Sequence, residues 1–151
     1  MSFEKYLLLF SPVLELTIKK NCKMKRLIID AAKDKIFLMI INNDINYNIT
    51  YENTKINYEK LSLLIKEFLN LNKIDLKKIS EIYVNRGPGS FAGIRNSLSI
   101  VKAFHLANKI DYFCFSFDDF DEKNEIKHEN IPKLCKQLKV KKNLINPIYL
   151  S

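Results

Sequence analysis

All three glycines of this chain, Gly87, Gly89 and Gly93, fall inside one decapeptide, Arg86-Gly87-Pro88-Gly89-Ser90-Phe91-Ala92-Gly93-Ile94-Arg95. Glycine is needed where φ must be positive or where another backbone or a ligand comes close, and the other turns of this chain use Asn and Asp instead. The decapeptide follows a strand-like Glu81-Ile82-Tyr83-Val84 and opens a helix over residues 91–108, so backbone N–H groups at the helix start can hold a phosphate or carboxylate, aided by the helix dipole. Arg86 and Arg95 flank it in a chain whose 25 basic residues are otherwise almost all lysine, and planar bidentate recognition is what lysine cannot supply. Two readings stand. Either Arg86, Gly87, Pro88, Gly89, Ser90, Phe91, Gly93 and Arg95 touch an anionic ligand or a partner, or the glycines permit a tight strand-to-helix turn that the arginines tie to neighbouring carboxylates or carbonyls. The pattern is neither G-x-x-x-x-G-K-[ST] nor G-x-G-x-x-G, so P-loop and dinucleotide-binding readings fail.

Little else in the chain has the spacing of a reactive site. His105 and His128 are the only histidines, no H-E-x-x-H pair exists, and no Ser/His/Asp or Cys/His set assembles at recognisable positions. Peptidase chemistry and metal binding are therefore not expected. Cys22, Cys114 and Cys135 are odd in number and far apart, which reads as free thiols in a reducing compartment, the cytoplasm.

The elements that must position the loop follow from hydrophobic periodicity. Lys25-Arg26-Leu27-Ile28-Ile29-Asp30 reads as a buried first strand, Lys35 to Ile41 as a second, and the alternating Ile45 to Tyr51 as a third, joined to the second by the turn Asn42-Asn43-Asp44. Residues 58–72 place Leu61, Leu64, Ile65 and Phe68 on one helical face, with Asn57 as the expected N-cap and Glu59 in the first turn. Residues 81–84 and 112–115 read as strands on either side of the helix 91–108, which implies parallel pairing through right-handed crossovers. An acidic stretch from Asp118 to Glu129, a basic helix over 131–142 and a closing Asn146-Pro147-Ile148-Tyr149-Leu150 complete the chain. Residues 1–23 lack a small-residue cleavage site after Tyr6 to Phe10, and Met24 stands directly before the first strand. They read as a peripheral or non-native extension outside the core.

The helix 91–108 carries only Arg95 and Lys102 as firm charges, whereas 28% of the chain is charged. Ile94, Leu98 and Val101 can pack on the sheet. Ser99, Ala103 and Ala107 form a small-residue stripe at spacing four, flanked by Ile100 and Phe104, so a second partner is expected on that side. It is either the chain's own first helix or another protein chain. The net charge of +8 fits a polyanion such as RNA or a merely basic solvated surface. No apolar run approaches the ~20 residues that cross a bilayer, so no membrane partner is expected.

The decapeptide resembles the R-G-P-G-S-F-T-G-[LI]-R signature of the TsaB (YeaZ) family. The likeness runs from about Lys25 to Phe117, with Ser116 in the place of a post-strand serine, and Pro147-Ile148-Tyr149-Leu150 is similar to the family's P-x-Y-L ending. The resemblance implies an α/β actin-like (ASKHA, RNase H-like) lobe with a five-stranded mixed sheet over residues 24–117, and a strongly abbreviated second lobe over 118–151. It implies a non-catalytic partner of a TsaD-type catalytic subunit, acting with a TsaE-type ATPase on tRNA reached through the complex. A homodimer, an interface on Ser99, Ile100, Ala103, Phe104 and Ala107, no cofactor on the lone chain, and ATP or ADP in the complex belong to the same expectation. Departures are Ala31-Ala32 after Asp30 where the family has Thr or Ser, Asn57-Tyr58 in place of a His-Ser pair, and Ala92 for Thr. The first argues against nucleotide hydrolysis, and any role of the missing histidine is absent.

Overall fold

In the computed structural model, residues 23–121 and 125–150 are described; the expectation for the N-terminal extension, and Cys22, lie outside them. Strand β1 (Lys25–Asp30) is the middle of a five-stranded sheet. Its Leu27, Ile28 and Ile29 are wholly buried, as an unbroken apolar run requires when both faces of a strand are covered. β2 (Lys35–Asn42) and β3 (Ile45–Glu52) continue from it as an antiparallel meander, turning at Asn43 with φ 57°. On the other side β4 (Ile79–Asn85) and β5 (Asp111–Phe115) pair parallel, giving the order β3-β2-β1-β4-β5. The mixed sheet is the expected one.

The first helical region differs from expectation at its start. Instead of one helix capped by Asn57, α1 (Lys55–Glu59) and α2 (Leu61–Leu71) are separated by Lys60. Thr54 is the N-cap, its hydroxyl accepting from the Asn57 N–H at 3.2 Å, while the Asn57 side-chain amide donates to the Glu52 carbonyl at 2.8 Å. Glu59 thus ends α1 rather than opening a helix, and meets Lys55 at 3.9 Å. The apolar face is as expected, with Leu61, Leu64, Ile65 and Phe68 buried.

Helix α3 (Phe91–Asn108) lies between β4 and β5 in the chain and packs with α1 and α2 on one face of the sheet, around Leu27, Ile29, Ile82 and Val84. The opposite face, with Ile28, Met39, Tyr83 and Phe115, is covered by Phe120 and by α4 (Ile131–Gln137) through Ile131, Leu134 and Cys135. α4 is shorter than the 131–142 reading: Lys139 turns left-handed at φ 53° and the Val140 N–H closes onto the Cys135 carbonyl at 3.0 Å. The tail then runs back along β5, its Asn143 N–H donating to the Tyr112 carbonyl at 2.8 Å. No helix among the described residues is long and apolar enough to cross a membrane.

Candidate functional site

The glycine loop joins the end of β4 to the start of α3, and its polar groups are turned inward. Asn85, almost fully buried, accepts the Gly87 N–H on its side-chain oxygen at 2.9 Å. The Ser90 N–H donates to the Ala32 carbonyl at 2.7 Å, and the Ser90 hydroxyl caps α3 by accepting from the Gly93 N–H at 3.3 Å. Gly87 is left-handed at φ 106°, and a Cβ there would overlap the carbonyl oxygen of Ile148 in the tail. A Cβ on Gly93 would overlap the Ala31 carbonyl oxygen and stand 2.9 Å from the Tyr58 ring. The glycines thus let α3, the turn after β1 and the tail meet backbone to backbone.

Arg86 is tied to a carboxylate and to a backbone carbonyl. Its guanidinium donates to Asp119 from Nη2 at 2.7 Å and from Nε at 3.4 Å, and from Nη1 to the Asn146 carbonyl at 3.2 Å. The Ile148 N–H donates back to the Arg86 carbonyl at 2.7 Å, Tyr149 bridges to Gly89, and its ring packs on Phe91 at 4.8 Å. Pro88 and Ser90 are partly covered and Arg95 is exposed. Asp119 also accepts the Ser116 N–H at 2.9 Å, so Ser116, fully buried, links β5 to the same carboxylate.

Beside the loop lies a crevice that sequence reasoning did not assemble. Asp30, 3% exposed at the end of β1, accepts from the Asn85 amide at 2.9 Å and the Ala32 N–H at 3.4 Å, and meets His128 Nε2 at 2.9 Å. The imidazole lies between Phe37, at 4.1 Å between centroids, and Phe117, at 5.4 Å, and Lys33 stands 4.3 Å over the Phe117 ring. The cavity is about 560 Å³, lined also by Met39, Glu125 and Lys127. Ninety-eight residues separate Asp30 from His128, and no local pattern joins them. The other histidine, His105, has Nδ1 3.0 Å from the Ile110 carbonyl and its ring edge-on to Tyr112, a packing role. Among the described residues no three His, Cys, Asp or Glu side chains come together as a metal site.

Along α3, Gly93, Ile94, Ser97, Leu98 and Val101 are buried against the sheet. The flank toward the first helices is also engaged: Ile100 and Phe104 pack on the core, and the Asn96 amide donates to the Tyr58 carbonyl at 3.0 Å. Ser99, Ala103 and Ala107 face outward and are exposed, with Leu106 at 64% beside them. The chain's own first helix therefore does not cover the stripe. Burial pushes the Cys114 thiol up to about 11 and that of Cys135 up to about 12, as befits structural rather than reactive cysteines.

A twisted mixed sheet with a three-strand meander, helical crossovers on one face and a glycine turn at the ends of its central strands defines an actin-like α/β lobe. A family model described as TsaD, tRNA N6-adenosine threonylcarbamoyltransferase, matches residues 54–115. The tRNA threonylcarbamoyladenosine biosynthesis protein TsaB of Buchnera aphidicola subsp. Schizaphis graminum is 31% identical over 90 residues, covering 60% of this chain and 43% of that protein. YeaZ from Pseudomonas aeruginosa superposes with a TM-score of 0.57 at 17% identity, over 62% of this chain and 44% of that one. A structure titled as an uncharacterized protein with similarity to peptidase YEAZ, also from Pseudomonas aeruginosa, gives a TM-score of 0.57 at 17% identity, over 62% and 43%. Over these stretches the chain is similar to the TsaB (YeaZ) family, and it spans less than half the length of these relatives.

Proposed function

We propose that this chain is a non-catalytic partner subunit in the formation of tRNA threonylcarbamoyladenosine, binding and activating a TsaD-type catalytic subunit, with a TsaE-type ATPase and tRNA engaged through the complex. The observation that carries this is the outward face of α3: Ser99, Ala103 and Ala107 lie exposed on a helix whose only firm charges are Arg95 and Lys102. Small residues let a second helix approach closely, and the same outward face exposes Leu106 beside both charges of the helix, Arg95 and Lys102, a mixed apolar and arginine-bearing surface of the kind that interfaces bury. The inward hydrogen bonding of the glycine loop supports a structural role for it, holding α3 in place rather than gripping a ligand.

The test is Ala103→Glu with the chain co-purified from its own cells. Burying a carboxylate without a partner costs several kcal/mol in the complex, while the free subunit leaves it in water. A catalytic TsaD-type subunit should accompany the unaltered chain and be lost from the variant, with the melting temperature of the isolated chain almost unchanged. A variant that unfolds early, or that retains the subunit, overturns the assignment of this face. The second reading, nucleotide or anion binding by the lone chain, is favoured by the crevice beside Asp30 and opposed by His128, which already occupies that carboxylate. Titration calorimetry of the isolated chain with ATP and ADP separates the two: sub-millimolar binding favours the second, and silence favours the partner subunit.

A further inference from the structure

From Asn130 to Ser151 the chain has five lysines, Lys133, Lys136, Lys139, Lys141 and Lys142, and no carboxylate side chain, whereas Asp118 to Glu129 holds six acidic residues and two lysines. A general enrichment in lysine scatters positive charge; it does not clear one stretch of carboxylates beside another that is crowded with them. The lysines also stand on fixed backbone. Ile131, Leu134 and Cys135 anchor α4 to the sheet, so Lys133 and Lys136 face solvent. The Val140 and Asn143 N–H bonds and the Asn143 side-chain bonds to Asp111, at 2.8 Å, and to the Tyr112 N–H, at 3.0 Å, fix the turn that presents Lys139 and Lys141. Lys142 meets Asp111 at 3.2 Å. Among the described residues the other four make no ion pair.

The apolar face of α4 is spent on the sheet, leaving Leu138 and Leu144 as the exposed large apolar side chains of this stretch up to Asn146, too little for an interfacial membrane helix. Protein interfaces are depleted in lysine and need a buried anchor at their centre, which this face lacks. The geometry points to Lys133, Lys136, Lys139 and Lys141 as a contact for the phosphate backbone of RNA, without selectivity for base. This contact rests on charge and burial alone, so it stands or falls separately from the partner-subunit reading.

The experiment is fluorescence anisotropy of the full chain with a labelled tRNA transcript across a salt series. Four phosphate contacts give a slope of log K against log salt of about −3 to −4, a loss of roughly 50- to 150-fold in affinity between about 50 and 200 mM. Replacing the four lysines by Gln should remove about three units of that slope while leaving the melting temperature unchanged, since all four are exposed. A control with Lys60, Lys66, Lys73 and Lys102 changed to Gln, on the opposite side of the sheet, should keep it. Equal loss in the control, an unchanged slope in the variant, or tighter binding to polyglutamate or to phosphatidylserine vesicles than to tRNA overturns the assignment.

Discussion

Replacing Gly93 by Ala should destabilise the fold, although the same change at an open helical position stabilises. Gly93 lies in the first turn of α3, where its ordinary helical backbone carries no penalty for a side chain, and the propensity difference alone favours Ala by about 1 kcal/mol. The added methyl, however, would overlap the Ala31 carbonyl oxygen and stand 2.9 Å from both the Ala31 carbonyl carbon and Tyr58 Cε1. Restoring contacts of ~3.5–4.0 Å to the Ala31 carbonyl oxygen requires a shift of about 2 Å between α3 and the turn after β1. That shift strains a core where Ile94 is wholly buried, at roughly 1–3 kcal/mol. It also stretches the 2.7 Å bond from the Ser90 N–H to the Ala32 carbonyl, worth about 0.5–1.5 kcal/mol. The net is a loss of about 1–3 kcal/mol, read as a lower urea midpoint at constant slope. Ala103→Gly, exposed on the same helix, calibrates the propensity by losing about 1 kcal/mol. A neutral or stabilised Gly93→Ala variant would refute the backbone-to-backbone contact.

Arg86→Lys should lose about 1–2 kcal/mol, because an ammonium cannot serve both Asp119 oxygens and the Asn146 carbonyl at once; hydrogen exchange should quicken at the Ile148 amide, and unchanged protection counts against the strap. His128→Phe keeps a ring between Phe37 and Phe117 but leaves the second Asp30 oxygen without its partner, so a loss of about 1–3 kcal/mol is expected, and a variant as stable as the parent makes the pair dispensable. The Cys114 and Cys135 thiols are raised from 9.0 to about 11 and about 12 by burial. Their contribution is fully present below pH 9, where the thiols stay neutral in both states, and is lost as pH rises toward 11 and 12, because the unfolded chain releases the protons first. Changing both to Ala should flatten the decline in melting temperature above pH 9, and an unchanged decline would rule the thiols out as its source.

The sheet was legible in the sequence because its signals are local. Leu27-Ile28-Ile29 is a run only a doubly covered strand needs, Asn42-Asn43-Asp44 supplies a turn that tolerates φ 57° at Asn43, and Ile94, Leu98 and Val101 recur at helical spacing on the sheet-facing side of 91–108. The decapeptide also announced special geometry, since glycine is so rare in this chain. The boundary at Thr54 was misplaced because Thr54 and Asn57 compete for the same cap, and only the Glu52 carbonyl, brought up by β3, decides which one wins. What the loop does was equally hidden. Arg86 finds Asp119 and Asn146, Gly87 meets Ile148, and Asp30 meets His128, each across 33 to 98 residues. Periodicity and turn chemistry act over a few residues and are written in the order of the chain. Which carbonyl fills the space a glycine leaves, and which face of α3 stays uncovered, depend on elements that meet only when the sheet has closed.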